Sequence, residues 1–298
     1  MARLLFAHPV FLAGDPAERA AQSPYFPLGL LYLAGYVREQ GHEVSIFDGT
    51  FADGPEAFVA HLEAFRPDLV GISALVTSRA SALDLAERAA KTGAVVVVGG
   101  PDPTVDPASY LANEAVDIVV HHEGEQTIAR LAQLADGNGL DATTLANERG
   151  IAIRVDGRVI INQPRPPIEN LDVLPLPARD LIDMDRYMHQ WEESSGYSSI
   201  TVSTSRGCPH GCEWCRDAVH GESFRQRSPE NVAAEIEALK AQYGPQSIRL
   251  VDDVDGLDRT WIEDWAAEVT RRDAAIPFEP LDRIERTDLP LLEVRDSL

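Results

Sequence analysis

The chain has 298 residues, 44% hydrophobic and 25% charged, with 26 Lys or Arg against 48 Asp or Glu and a formal net charge of −22. That length predicts two domains with real cores, and the composition is that of an ordinary globular protein. A surface this acidic repels phosphate backbones and anionic lipid, which argues against nucleic acid and membrane surfaces as partners.

The N-terminus, Met1 to Pro9, is apolar for only a few residues and lacks a signal-peptide core, and no apolar run of about 18 residues is present to span a bilayer. A cytoplasmic location is expected. Residues 1–140 then alternate short apolar runs (Arg3–Ala7, Glu43–Phe47, Leu69–Ser73, Ala94–Val98, Val116–Val120) with amphipathic stretches (Leu28–Gln40, Pro55–Phe65, Arg79–Thr92, Pro103–Asn113, Glu125–Ala135). Strands of about 5 residues between helices of about 10 predict an α/β domain, a five-stranded doubly wound parallel sheet covered on both faces.

Residues 141–198 read as a hairpin and a linker. In 151–161, Asp156-Gly157 sits between alternating β-branched residues as a type I′ turn would. Pro164, Pro166, Pro167, Pro175 and Pro177 then exclude helix and central strand, predicting a stiff extended connection.

A second α/β pattern fills 199–298, with strands at Ser199–Ser203, Gln246–Val251 and Ile276–Leu281 and helices from Ser228-Pro229 to Tyr243 and over Asp258–Arg272. A closed eight-unit barrel takes about 250 residues, so this segment holds about three (β/α) units, a partial barrel. A barrel left open there is expected to expose a strand edge and an apolar inner face.

The three cysteines, Cys208, Cys212 and Cys215, fall within eight consecutive residues as C-x3-C-x2-C. An odd count argues against a disulfide framework and for ligands. An iron–sulfur cluster needs soft thiolates converging from one flexible loop, and Gly207 and Gly211 give that loop its freedom. Three thiolates on a four-iron cluster leave one iron open. The alternative is zinc with His210 or His220 as fourth ligand, although the paired C-x2-C knuckles of most such sites are absent. The acidic pair Asp252-Asp253, at the end of a predicted strand, reads either as acceptors for a ligand cation or as a helix N-cap cluster.

The cysteine loop, placed after the first strand of a (β/α) domain, resembles that of the radical S-adenosylmethionine (SAM) superfamily. The resemblance implies a [4Fe-4S] cluster on Cys208, Cys212 and Cys215, whose open iron chelates SAM and whose electron cleaves it to a 5′-deoxyadenosyl radical. It also implies that Trp214 packs near the adenine and that Asp252 and Asp253 meet the methionyl ammonium.

The N-terminal half is similar to the cobalamin-binding domain of the cobalamin-dependent subfamily, in Pro24–Leu33, Gly71–Thr77, Val98–Pro101 and His122–Glu125, as is the spacer Pro166–Asp180. All but the first of those pieces follow or overlap a strand end, where parallel sheets bind ligands. The implied cobalamin contacts are Leu28, Gly29, Ser73, Leu75, Thr77, Gly99, Gly100, Glu123 and Gly124, with Gly99 and Gly100 admitting the nucleotide tail and Ser73 and Thr77 bonding it. The cobalt-ligating D-x-H-x-x-G is absent, His8 stands without its partner residues, and Asp102 occupies a place where the subfamily commonly has histidine. A generic mononucleotide domain, or one that binds nothing, is the alternative; G-x-G-x-x-G is missing, which disfavours a dinucleotide.

Taken over about residues 2–285, the resemblance implies a methyltransferase acting on an unactivated carbon of a small molecule or natural-product intermediate, fed electrons by a reductant such as flavodoxin or ferredoxin. Radical rearrangement or ring formation with the same cofactors is one alternative. The other takes the short barrel at face value: a cobalamin and iron–sulfur carrier or fragment, completed by a partner or in a homodimer.

Overall fold

The computed structural model describes residues 1–14, 24–137, 139–213, 219–254 and 258–279. The chain forms two compact units. The first takes the N-terminal strand, Pro27–Pro167 and Pro175–Ile182; the second takes residues 24–26, Ile168–Leu174 and the described residues from Asp183 onward. No described helix is long and apolar enough to cross a membrane.

In the first unit, β1 (Arg3–His8), α1 (Leu28–Glu39), β2 (Glu43–Asp48), α2 (Glu56–Phe65), β3 (Leu69–Ser73), α3 (Arg79–Ala90), β4 (Val95–Gly99), β5 (Ile118–Val120) and α4 (Glu125–Asp136) follow in chain order. The five strands pair in parallel in the order β2-β1-β3-β4-β5, so the order reverses between β1 and β3. Both faces are dry. Leu4 and Phe6 of β1 join a core with Leu31, Ala34 and Val37 of α1 and Ile128 and Leu131 of α4. Their strand neighbours Leu5 and Ala7 point into a second core with Phe58 and Leu62 of α2 and Leu85 and Ala89 of α3. Burial on both faces is why β4 reads as an unbroken valine run, Val95 to Val98.

Two local features differ from the sequence reading. The pattern over Pro103–Asn113 predicts one helix, but two short ones form, Pro101–Val105 and Pro107–Leu111, because Pro107 has no N–H to continue the first. Asp106 then caps the second, accepting from Ser109 N at 3.2 Å. The hairpin also does not stand apart in the linker. Its strands β6 (Ile151–Val155) and β7 (Arg158–Ile161) add antiparallel to β5, making seven strands in all. Asp156 and Gly157 have φ of 49° and 74°, as a type I′ turn requires. The sheet recruits the hairpin because Ile151 and Ile153 complete one core and Ala152 the other. Pro175–Ile182 packs back on α1, Ala178 N donating to Leu31 O at 3.0 Å and Arg38 gripping Asp180 with two hydrogen bonds of 2.6 and 3.0 Å.

In the second unit, α5 (Met184–Ser195) precedes β8 (Ser199–Val202), β9 (Ser205–Arg206), β10 (Arg225–Gln226), α6 (Pro229–Tyr243), β11 (Ser247–Leu250), α7 (Arg259–Arg271) and β12 (Phe278–Glu279). The strands β8, β11 and β12 form a parallel sheet with β11 central, and β9 pairs antiparallel with β10. One face is aliphatic (Ile200, Val202, Ile248, Leu250), and its Phe278 meets Trp265 of α7 at 5.1 Å between ring centroids. Period-two alternation puts Ser199, Thr201, Ser247 and Arg249 on the opposite face. The expectation of an apolar inner face is therefore corrected: that face is polar. There the Arg249 guanidinium lies 5.3 Å from the Tyr25 ring and 5.4 Å from Trp191 of α5.

Gly71 supplies a check on the first unit. A Cβ at this position would stand 2.7 and 2.9 Å from two ring carbons of Phe6. Gly71→Ala is expected to destabilise the unit by about 1–3 kcal/mol through overpacking, read as a lower urea midpoint at unchanged slope.

Candidate functional site

Two clusters of predicted residues are brought together, one in each unit. In the first, the parallel strands end side by side and their loops are bonded to one another. Ala74 N donates to Gly99 O at 2.8 Å, and Asp102 N donates back to Ala74 O at 3.4 Å. Gly100, at φ +115°, lies so close that a Cβ would be 2.8 Å from Ala74 O, so this crossing of the β3 and β4 loops requires glycine. Thr104 Oγ1 donates to Gly100 O at 2.8 Å and accepts from His122 N at 3.1 Å, extending the chain of bonds to the β5 loop.

Of the predicted cobalamin contacts, this network gathers Ser73, Leu75, Thr77, Gly99 and Gly100. Ser73, Gly99 and Gly100 are half-buried, while Leu75 and Thr77 are exposed. Ser78 Oγ accepts from Leu75 N at 3.0 Å and Ser78 N donates to Leu75 O at 3.0 Å, which fixes the turn that displays them. Glu123 (buried) and Gly124 (half-buried) follow β5. Leu28 and Gly29 sit in the first turn of α1, which approaches this edge through Leu33, 3.1 Å from where a Gly124 Cβ would be.

Val76 and Val105 were not singled out by the sequence reading. They are 72% and 55% exposed, and with Leu75 at 46% they put three large apolar side chains on the segments that follow β3 and β4, Val105 ending the short helix Pro101–Val105. Single exposed valines carry no sequence signal. Exposed apolar side chains on the segments after β3 and β4, with a close-packed glycine between those strand ends, suit a large cofactor with an apolar surface.

Asp102 is held by Arg79 through two hydrogen bonds of 2.7 Å each and by Tyr110 Oη at 2.6 Å. Arg79 foremost, then Tyr110, keeps the Asp102 carboxyl below its ordinary value, and burial with Asp102 nearby pushes the Tyr110 phenol up. This triad braces the β4 loop beside Gly100. His8 ends β1 in register with Asp48; burial lowers its pKa and Asp48 opposes that.

The second cluster surrounds the cysteine loop. Cys208 and Cys212 are half-buried; Trp214 and Cys215 lie outside the described residues. The loop leaves the C-terminal end of β8 and is fastened there group by group. Asp252 accepts from Thr204 N at 2.7 Å and Ser205 N at 2.9 Å, and Asp253 accepts from Gly207 N at 3.0 Å. Arg227 takes the carbonyls, its N–H donating to Thr204 O at 2.8 Å and its guanidinium to Ser203 O at 2.7 Å. Buried Glu235 neutralises it at 2.6 Å. Gly207, at φ +83°, leaves only 2.2 Å between a would-be Cβ and Ser223 O, so no other residue passes there. Of the possible zinc-ligand histidines, His210 is half-buried between two cysteines, and His220 Nδ1 lies 3.6 Å from Asp253.

The helix-cap alternative for the acidic pair does not hold: α7 is capped by Asp258, which accepts from Thr260 N at 2.9 Å. A loop rigid at its root, glycine-bearing and thiol-rich matches what an iron–sulfur cluster asks of a protein.

Residues 19–132 match the B12 binding domain family. Among curated proteins, the chain is 33% identical over 264 residues to "Uncharacterized methyltransferase PH0819" of Pyrococcus horikoshii, covering 87% of this chain and 55% of that one. It is 32% identical over 253 residues to an anaerobic magnesium-protoporphyrin IX monomethyl ester cyclase of Synechocystis sp., covering 83% and 48%. The chain thus spans about half the length of these relatives. Among solved structures, the fold matches that of the radical SAM methyltransferase TsrM from Kitasatospora setae with cobalamin and [4Fe-4S] cluster bound. The TM-score is 0.78 at 18% identity, covering 100% of this chain and 57% of that one.

The Asp102 triad gives a pH test. A carboxyl held below its ordinary 3.8 adds stability that is complete above that pH and is lost as pH falls from there through the folded-state value. Wild type is therefore expected to exceed Asp102→Asn by about 1 kcal/mol at neutral pH, a modest figure because Arg79 is solvent-screened. In urea melts the gap should close below about pH 3.8.

Proposed function

We propose, from the chain's membership in the cobalamin-dependent radical SAM family, that it provides the cofactor-binding portion of an enzyme methylating an unactivated carbon of a small molecule. The observation that carries this reading is the combination, in one chain, of a B12-binding domain with a thiol loop rooted at the C-terminal end of the first strand of a (β/α) sheet. When bound, the cluster supplies the electron that cleaves SAM, and cobalamin carries the methyl group.

The chain's own part is positional. The 1–140 region would hold cobalamin, with Leu75, Val76 and Val105 against its apolar surface and Gly99 and Gly100 admitting its tail. Ser73 and Thr77 would bond that tail, and Leu28, Gly29, Glu123 and Gly124 would line its edge. Residues 141–198 would bridge to the 199–298 region, where Cys208, Cys212 and Cys215 would ligate the cluster and Trp214 would meet the SAM adenine. Electrons would come from a flavodoxin or ferredoxin, in a cytoplasm whose reducing poise keeps the thiols available.

A second reading takes the chain as a carrier of both cofactors that acts together with a partner or a second copy. The kinship with a cyclase keeps ring formation as the alternative chemistry.

Anaerobic reconstitution with iron, sulfide and hydroxocobalamin tests the proposal. About four irons and one corrinoid per chain are expected, with the iron lost in Cys212→Ala and the corrinoid kept. Formation of 5′-deoxyadenosine from SAM after reduction supports an enzyme, and an intact cluster without it supports the carrier. Zinc in place of iron, or failure to bind corrinoid, would sink the proposal.

A further inference from the structure

The family resemblance assigns Asp252 and Asp253 to the SAM ammonium, but both carboxylates are engaged by the chain itself. Asp252 is only 3% exposed. Its Oδ1 accepts from Ser203 Oγ at 3.2 Å, Thr204 N at 2.7 Å and Ser205 N at 2.9 Å, while its Oδ2 accepts from Thr204 Oγ1. The single Ser203 hydroxyl proton is shared with Ser205 O, at 3.0 Å, so the firm donors are the two amides on Oδ1 and the Thr204 hydroxyl on Oδ2. Two of them are consecutive backbone amides at the end of β8, which would otherwise be buried without acceptors. Asp253 takes the amide of Gly207, the residue before Cys208. The bonds reach across 46 to 49 positions of sequence, from the end of β11 to the end of β8, where the cysteine loop begins.

We infer that Asp252 and Asp253 are positioning residues that clamp the root of the cysteine loop, and that Asp252 does this instead of contacting SAM. Asp252 fixes the backbone of Thr204 and Ser205 against β11, while Asp253 fixes Gly207, so the first thiol leaves a rigid anchor. That the loop carries a cluster rests on the function proposed above; the clamp itself does not.

The test uses the full chain and the variants Asp252→Asn, Thr204→Val and their combination. Without iron, amide hydrogen exchange is read at Thr204, Ser205 and Gly207. At least tenfold faster exchange is expected at Thr204 and Ser205 in Asp252→Asn. Thr204→Val, which leaves the carboxylate and its charge in place, should speed Ser205 in the same direction, and the double variant should be no worse than Asp252→Asn. After reconstitution, Asp252→Asn and Thr204→Val should both change the electron paramagnetic resonance spectrum of the reduced cluster with no SAM present. Both should also lower retained iron at least twofold.

A direct SAM contact predicts another pattern: wild-type exchange, iron and SAM-free spectrum in Asp252→Asn, a silent Thr204→Val, and a defect only in SAM affinity. That pattern overturns the inference. If Asp252→Asn fails to fold, Thr204→Val decides alone, and unchanged Ser205 exchange in it overturns the clamp. Wild type that takes up no iron defeats the cluster reading, and the exchange measurements then judge the clamp by themselves.

Discussion

Backbone amides at the end of a buried strand must find acceptors, and in the second unit a single carboxylate meets that need. Asp252 collects the N–H groups of Thr204 and Ser205, and the rest of the loop root is organised around that choice. The carbonyls on the other side of the same peptides turn toward Arg227, whose charge is then buried and must be balanced. Glu235 of α6 balances it, and the Arg227 carbonyl in turn accepts from the Trp261 indole of α7 at 2.7 Å. One strand end thus fixes where both crossover helices sit. Cys208 follows directly on a root held by this network.

The first unit meets a different constraint with similar means. A sheet buried on both faces has no room for irregular backbone within it, so variation is pushed to the strand ends, and where the order reverses between β1 and β3 the loops diverge to opposite sides. The β3 and β4 loops next to that point are not left slack. They cross at Gly100, bond to each other through Ala74, and are braced by Asp102 against Arg79 and Tyr110. These loops display Leu75, Val76 and Val105, so apolar surface stands beside the close-packed Gly100 crossing.

Periodicity made much of the fold legible. The valine run of β4 and the alternating strand and helix lengths of the first half carry the doubly wound sheet, and Asp156-Gly157 carries the hairpin turn. What the hairpin pairs with was not legible, because pairing depends on which core lacks a wall, a three-dimensional property. The cysteine spacing carries its own chemistry in sequence, as the valines at 76 and 105 do not. Asp252 is the instructive case: its place beside Asp253 at a strand end suggested a ligand contact, while its partners lie 47 and 48 residues upstream, in a segment whose amides leave no trace in composition.

The polar inner face of the second sheet bears on how this unit stays folded. Had Thr201 and Arg249 been aliphatic, an unclosed three-stranded sheet would depend on burying that face for stability. Instead, aliphatic packing lies on the face that meets the crossover helices, where Ile200, Val202, Ile248 and Leu250 are each 0% exposed, while Ser199 and Thr201 of the other face are 2% and 4% exposed and so covered as well. On that opposite face the Arg249 guanidinium lies over ring faces. A cation held by Tyr25 and Trp191 ties residues 24–26 and α5 to β11. The strand ends that carry Asp252 and the cysteine loop are therefore held by aliphatic packing on the helical side and by polar and aromatic contacts on the other.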